Sequence, residues 1–120
     1  TARVHLRNGG IFITAPDWFL ETFREPQIEC QTNTDGETEF TYFEYIYDPD
    51  PSDTMIEILL WYLIRRGQQA PQVEYDRMIC GLFSLATWEQ LITEAGFHVE
   101  KLSYNVQKHK SYFLIGMRQE

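Results

Sequence analysis

Two aromatic runs and one arginine are the residues of this sequence best suited to holding a ligand. Glu39 to Tyr47 ("EFTYFEYIY") carries Tyr42, Phe43, Tyr45 and Tyr47, and Met55 to Ile64 ("MIEILLWYLI") carries Trp61 and Tyr62. Such rings can close over a small molecule and exclude water. A strand turns only alternate side chains to one face, however, so most of them must serve packing. Arg77, in Tyr75-Asp76-Arg77, can hold a ligand carboxylate or orient a tyrosine; an exposed ion pair with Asp76 or Glu57 is its simpler role. His5, His98 and His109 fall on a helix end, a strand start and a loop, and their spacing forms no metal-ligand cluster. Cys30 and Cys80 lack a CxxC or Cys/His spacing, as expected of two reduced thiols in a cytoplasmic protein. The chain has no Gly-x-Ser-x-Gly elbow and no paired carboxylates at hydrolase spacing.

These residues must be positioned by a recognisable series of elements. Val4 to Leu6 reads as the last turn of a helix, with Arg3, His5 and Arg7 suited to its C-terminal end. Asn8-Gly9-Gly10 supplies a left-handed stop. Ile11 to Thr14 has the composition of a strand buried on both faces. Asp17 can cap a short helix carrying Trp18, Phe19, Leu20 and Phe23 as far as Pro26, and the polar residues 27 to 37 read as a loop. Glu39–Tyr47, Met55–Ile64 and Val73–Phe83 are expected strands, joined at "DPDPSD" and at Gly67–Pro71, which makes a three-stranded antiparallel meander. Thr87-x-x-Gln90 predicts a capping box for a helix bearing Trp88, Leu91, Ile92 and Ala95, stopped at Gly96. Phe97–Tyr104 and Ser111–Met117 close the chain as strands around a loop at 105–110.

The bulk properties set the class. One domain, or part of one, fits 120 residues, and a 43% hydrophobic, 15% aromatic composition is ample for a core. A net charge of −8 argues against nucleic acid or an anionic membrane surface as the main partner. The longest apolar run, Ile58 to Ile64, is too short to span a bilayer, and no signal-peptide pattern opens the sequence. A cytoplasmic protein is expected.

"LRNGGIFITAPD", followed by "TWEQLITEAGFHVEKLSY" and "KSYFLIGMR", resembles the C-terminal half of a class I S-adenosylmethionine-dependent methyltransferase of the small-molecule type. The resemblance implies an α/β fold: the fifth, sixth and seventh strands of a seven-stranded Rossmann-like sheet, with the meander inserted as a lid. It divides the chain into residues 1–37 (end of a helix, fifth strand and short helix), 38–83 (lid) and 84–120 (last helix and closing strands). Asp17 and Trp18 would then follow the fifth strand at the ligand end of the sheet, and Tyr45, Trp61 and Arg77 would meet a small-molecule acceptor from the lid. Met78 stands where relatives often carry a histidine after the Asp-Arg pair, so the resemblance assigns no catalytic base.

The family's glycine-rich turn and ribose-binding acid have no counterpart in these residues. S-adenosylmethionine is therefore expected to be bound mainly by a missing N-terminal half, and this chain alone to be inactive. No metal is implied. The fifth strand would lack one neighbour and the sheet part of its covering helices, so self-association through that edge or the exposed face, most simply as a homodimer, is expected. A different class also fits: a stand-alone, non-enzymatic α+β module whose aromatic meander binds an apolar small ligand.

Overall fold

The computed structural model describes residues 2–120. In chain order the elements are α1 (Ala2–His5), β1 (Ile11–Thr14), β2 (Gln27–Asp35), β3 (Thr38–Tyr47), β4 (Met55–Arg66), β5 (Gln72–Gly81), α2 (Leu85–Glu94), β6 (Phe97–Val106) and β7 (His109–Arg118). They form two compact units: residues 2–23 with Leu82–Glu120, and Arg24–Gly81.

The first unit is a three-stranded antiparallel sheet in the order β1-β7-β6. Alternation sends Phe12, Phe97, Val99, Tyr112 and Leu114 to one face, where they pack with Phe19, Leu85, Trp88 and Ile92. Phe19 and Leu114 are fully buried. The Phe12 ring lies directly over Gly116, where a Cβ would come within 2.1 Å of a ring carbon, and meets Phe97 edge-on at 4.8 Å. The opposite face of the sheet is open. Ile11 and Ile13 are 51% and 62% exposed, so β1 is not buried on both faces as its composition suggested; α2 and the turn around Phe19 cover one side only.

Two local expectations give way. Residues 15–26 form turns rather than a helix. The Phe19 amide donates to Thr22 Oγ1 (3.0 Å), and the Thr22 hydroxyl donates to the Phe19 carbonyl (3.3 Å). The Phe19 carbonyl also accepts the Thr22 and Phe23 amides, both at 2.9 Å, so a single turn forms here and does not extend into a helix. Helix α2 begins three residues earlier than its expected capping box. Ser84 is the N-cap and accepts from the Thr87 amide at 3.1 Å, while the Glu21 carboxylate accepts from the Leu85 amide at 3.0 and 3.2 Å. Gly96 ends the helix with φ +90°, a conformation that excludes most side chains. The β6–β7 loop is shorter than expected, because Gln107 and Lys108 both take positive φ and make a two-residue hairpin turn.

The second unit is a four-stranded antiparallel sheet in sequence order, β2-β3-β4-β5. The expected loop at 27–37 is strand β2, paired with β3 from Gln27↔Ile46 to Asp35↔Thr38 around the turn at Gly36. Its polarity suits an outer strand, whose residues are nearly all exposed. Ile46, Ile56, Ile58 and Leu60 are the buried residues of this sheet, and paired positions place them together on one face.

Candidate functional site

Register sorts the meander aromatics. In an antiparallel ladder directly paired residues share a face, so Tyr47·Glu57·Ile79, Ile28·Tyr45·Leu59·Arg77 and Cys30·Phe43·Trp61·Tyr75 form successive rows on the side opposite Ile46, Ile58 and Leu60. Three residues singled out by sequence, Tyr45, Trp61 and Arg77, lie together on this face. Tyr42 and Tyr62 lie on the other, where the Tyr42 hydroxyl meets Glu29 Oε1 at 3.0 Å and Tyr62 stacks on Phe40 at 5.6 Å.

The polar end of the face is built around Glu57. Arg77 Nε donates to Glu57 Oε2 at 3.0 Å, and Nη2 donates to Oε1, giving a bidentate pair. The Tyr47 hydroxyl donates to Glu57 Oε2 at 2.8 Å. The ion pair with Glu57 that sequence suggested for Arg77 is therefore present, whereas Asp76 accepts only the Arg77 backbone amide at 2.8 Å. The Glu57 side chain is 14% exposed and that of Arg77 51%, so part of the guanidinium fork remains open to solvent.

The protonation states follow from these contacts. Arg77 first, then Tyr47, holds the Glu57 carboxyl below its ordinary range, and Glu57 in return pushes the Tyr47 hydroxyl up. Glu57 is consequently a poor proton acceptor and a good anchor, and Tyr47 remains a hydrogen-bond donor. Two rows from Glu57, Trp61 lies between Phe43 and Tyr75, with ring centroids at 5.7 and 5.4 Å, and in the row between, Tyr45 sits 5.7 Å from Tyr47. The arrangement offers an aromatic platform bordered by donors. Sequence named Tyr47 among the aromatics that could close over a ligand and Glu57 only as an ion-pair partner. The signal that joins them is the hairpin register across residues 48–54.

Asp17 and Trp18 belong to the other unit. Asp17 is exposed and caps no helix, and Trp18 packs edge-on against Phe23 at 6.0 Å. A polar cleft of about 320 Å³ at the turn end of the meander, lined by Thr34, Glu37, Glu39, Arg65 and Gln68, contains none of the candidate residues.

The described residues do not fit a nucleoside cofactor by themselves. Such sites use open backbone donors at a helix start beside parallel strands. Here every strand pair is antiparallel, and the start of α2 is already filled by Ser84 and Glu21. No helix among the described residues is long and apolar enough to cross a membrane.

No protein-family model matches the chain, and no curated protein does. Solved structures do. DesVI from Streptomyces venezuelae superposes with a TM-score of 0.80 at 19% identity, over 97% of this chain and 47% of that one. KedS8, described as a sugar N-methyltransferase from a Streptoalloteichus species, gives 0.79 at 18%, over 98% and 46%. CalS10 with bound S-adenosylmethionine, described as an amino pentose methyltransferase from Micromonospora echinaspora involved in calicheamicin biosynthesis, gives 0.77 at 12%, over 98% and 47%. The chain thus spans about half the length of the structures it matches, and its α/β fold is that of the C-terminal half of methyltransferase structures.

Proposed function

We propose that this chain is the acceptor-side part of an S-adenosylmethionine-dependent methyltransferase acting on a small molecule. The observation that carries the reading is the superposition of nearly the whole chain on half of methyltransferase structures, lid sheet included. The neighbours' descriptions, an amino pentose and a sugar nitrogen, make an amino sugar the first acceptor to test. The cofactor supplies the electrophilic methyl group and is held mainly by the half of the fold this chain does not span. The chain's own residues bind and orient the acceptor. Tyr45 and Trp61 present ring faces, and Arg77 offers its open N–H groups to an acceptor oxygen while Glu57 fixes the guanidinium.

Titration calorimetry of S-adenosylmethionine into the 120-residue chain tests the division of labour. The expected result is no saturable binding at millimolar cofactor. Micromolar affinity would place a complete cofactor site within these residues and overturn the reading. Saturable binding of apolar small ligands without any cofactor-dependent activity in the longer protein would instead favour a binding module, a role for which the Phe43–Trp61–Tyr75 row is suited.

A further inference from the structure

We propose that the projecting end of the β6–β7 hairpin, residues 102–113, is a docking finger for an acidic protein surface, engaged through Lys108 and Lys110 on one side and Leu102 and Val106 on the other. The inference goes beyond the methyltransferase reading and does not depend on it.

Charge is segregated along the chain. No aspartate or glutamate lies between Lys101 and Gln119, and this stretch holds every lysine of the sequence: Lys101, Lys108 and Lys110. Its arginine is used internally, since Arg118 Nη1 donates to the Arg3 carbonyl at 2.8 Å and to that of Leu6. Lys101 is also engaged, with Nζ 3.0 Å from Glu89 Oε1. Among the described residues Lys108 and Lys110 have no carboxylate partner. Lys110 Nζ lies instead 5.5 Å from the centre of the Tyr112 ring, and Lys101 Nζ 5.8 Å from it. Such a contact orders a lysine without neutralising it.

Topology makes the stretch project. β1 ends at Thr14, in line with Leu114 and Lys101, whereas β6 runs on to Val106. Those further residues carry the hairpin about 16 Å past the end of β1, and no described strand pairs with either of its edges there. Lys108 sits in the turn with φ 71°. Lys110, opposite Asn105, is also about 16 Å along the strand from Glu100, the last acid of β6. That exceeds the Debye length of about 8 Å at physiological ionic strength, so the tip presents positive charge although the chain carries −8.

The two faces of the finger point to the partner's chemistry. Lys101, Lys110 and Tyr112 share one face, and Leu102, Tyr104, Val106 and Phe113 share the other. Leu102 and Val106 are 54% and 50% exposed, and Tyr104 stacks on Phe113 at 4.3 Å. A phosphate or other small anion would meet the ammonium groups and leave the apolar face in water. An acidic protein surface can cover both, with apolar contact adding affinity and complementary charge setting orientation and encounter rate. Nucleic acid, with its denser charge, is disfavoured by the acids of the rest of the chain.

Fluorescence anisotropy of two labelled polypeptides, poly-L-glutamate and a random copolymer of glutamate and tyrosine, titrated with the 120-residue chain, tests the proposal. The expected result is saturable binding of the copolymer below about 1 mM, weakened about tenfold between about 50 and 200 mM salt. The copolymer should bind about threefold more tightly than poly-L-glutamate, and Val106→Ser should remove that advantage. Combining Lys108→Glu with Lys110→Glu, both at exposed positions, should cost about tenfold or more with an unchanged circular dichroism spectrum. Arg65→Glu, in the meander, should leave binding within about twofold. Absence of saturable copolymer binding overturns the proposal. So does binding that survives the double lysine substitution or falls equally with Arg65→Glu. Tighter binding of inorganic pyrophosphate or of an oligothymidylate than of the copolymer also overturns it, and would assign the finger to a phosphate ligand.

Discussion

At the scale of single residues, Glu57 is the hinge of the site. Its carboxylate is the shared acceptor for Arg77 and Tyr47, and each contact favours its ionised form. A carboxyl group with a depressed native pKa contributes stability that is present above its unfolded value, about 4.3, and is lost as pH falls through the native value. Acid titration of the wild-type chain is therefore expected to lose stability from about pH 4 downward, and Glu57→Gln should flatten that part of the curve. An acid limb unchanged by the substitution would mean that the pair contributes nothing in solution. Tyr47 has the opposite sign: its raised pKa adds stability below about 10, lost as pH rises through the native value. The Arg77–Glu57 pair was legible in sequence because alternation over two neighbouring strands leaves few partners for a lone arginine. Tyr47's part in it was not, because composition does not fix which residues a seven-residue hairpin connection sets opposite each other.

Among the elements, the long-range strands were easier to place than the local ones. Met55–Ile64 and Glu39–Tyr47 are dominated by β-branched and aromatic residues, and they pair as expected. β2 was missed because an outer strand has no apolar face to advertise. Its signal was the alternation of Ile28, Cys30, Thr32 and Thr34 with Glu29, Gln31 and Asn33. The helix expected after Asp17 is reduced to one turn, in which the Phe19 carbonyl accepts the Thr22 and Phe23 amides. The start of α2 was misplaced because both Ser84 and Thr87 are acceptable caps, and only the structure shows Ser84 accepting the amide. Gly116 marks a different limit, since its glycine looks like a strand defect but is the seat of the Phe12 ring. Gly116→Val forces that ring out of the core and should cost about 1–3 kcal/mol in chemical denaturation. A loss below about 0.5 kcal/mol, the ordinary surface range, would show that Phe12 does not rest there in solution.

For the whole molecule, one sequence-level pattern, glycine stop to apolar strand and Ala95-Gly96-Phe97 to closing strand, gave an order that the structure realises as β1-β7-β6 with α2 between β1 and β6 in the chain. The division of the chain into Arg24–Gly81 and the remainder gives each unit its own task in the proposed enzyme: the β1 sheet completes the core and the meander meets the acceptor. That central claim is tested most directly by steady-state kinetics of the enzyme that carries this segment beside its cofactor-binding half, with Tyr45→Ala as the variant. Tyr45 lies in the row of Arg77, one row from Trp61. Removing its ring should raise KM for the acceptor about tenfold, the value of one aromatic contact of about 1.4 kcal/mol, and leave KM for S-adenosylmethionine within about twofold. Equal changes in both constants, or a loss of folding stability with neither constant altered, would contradict the account.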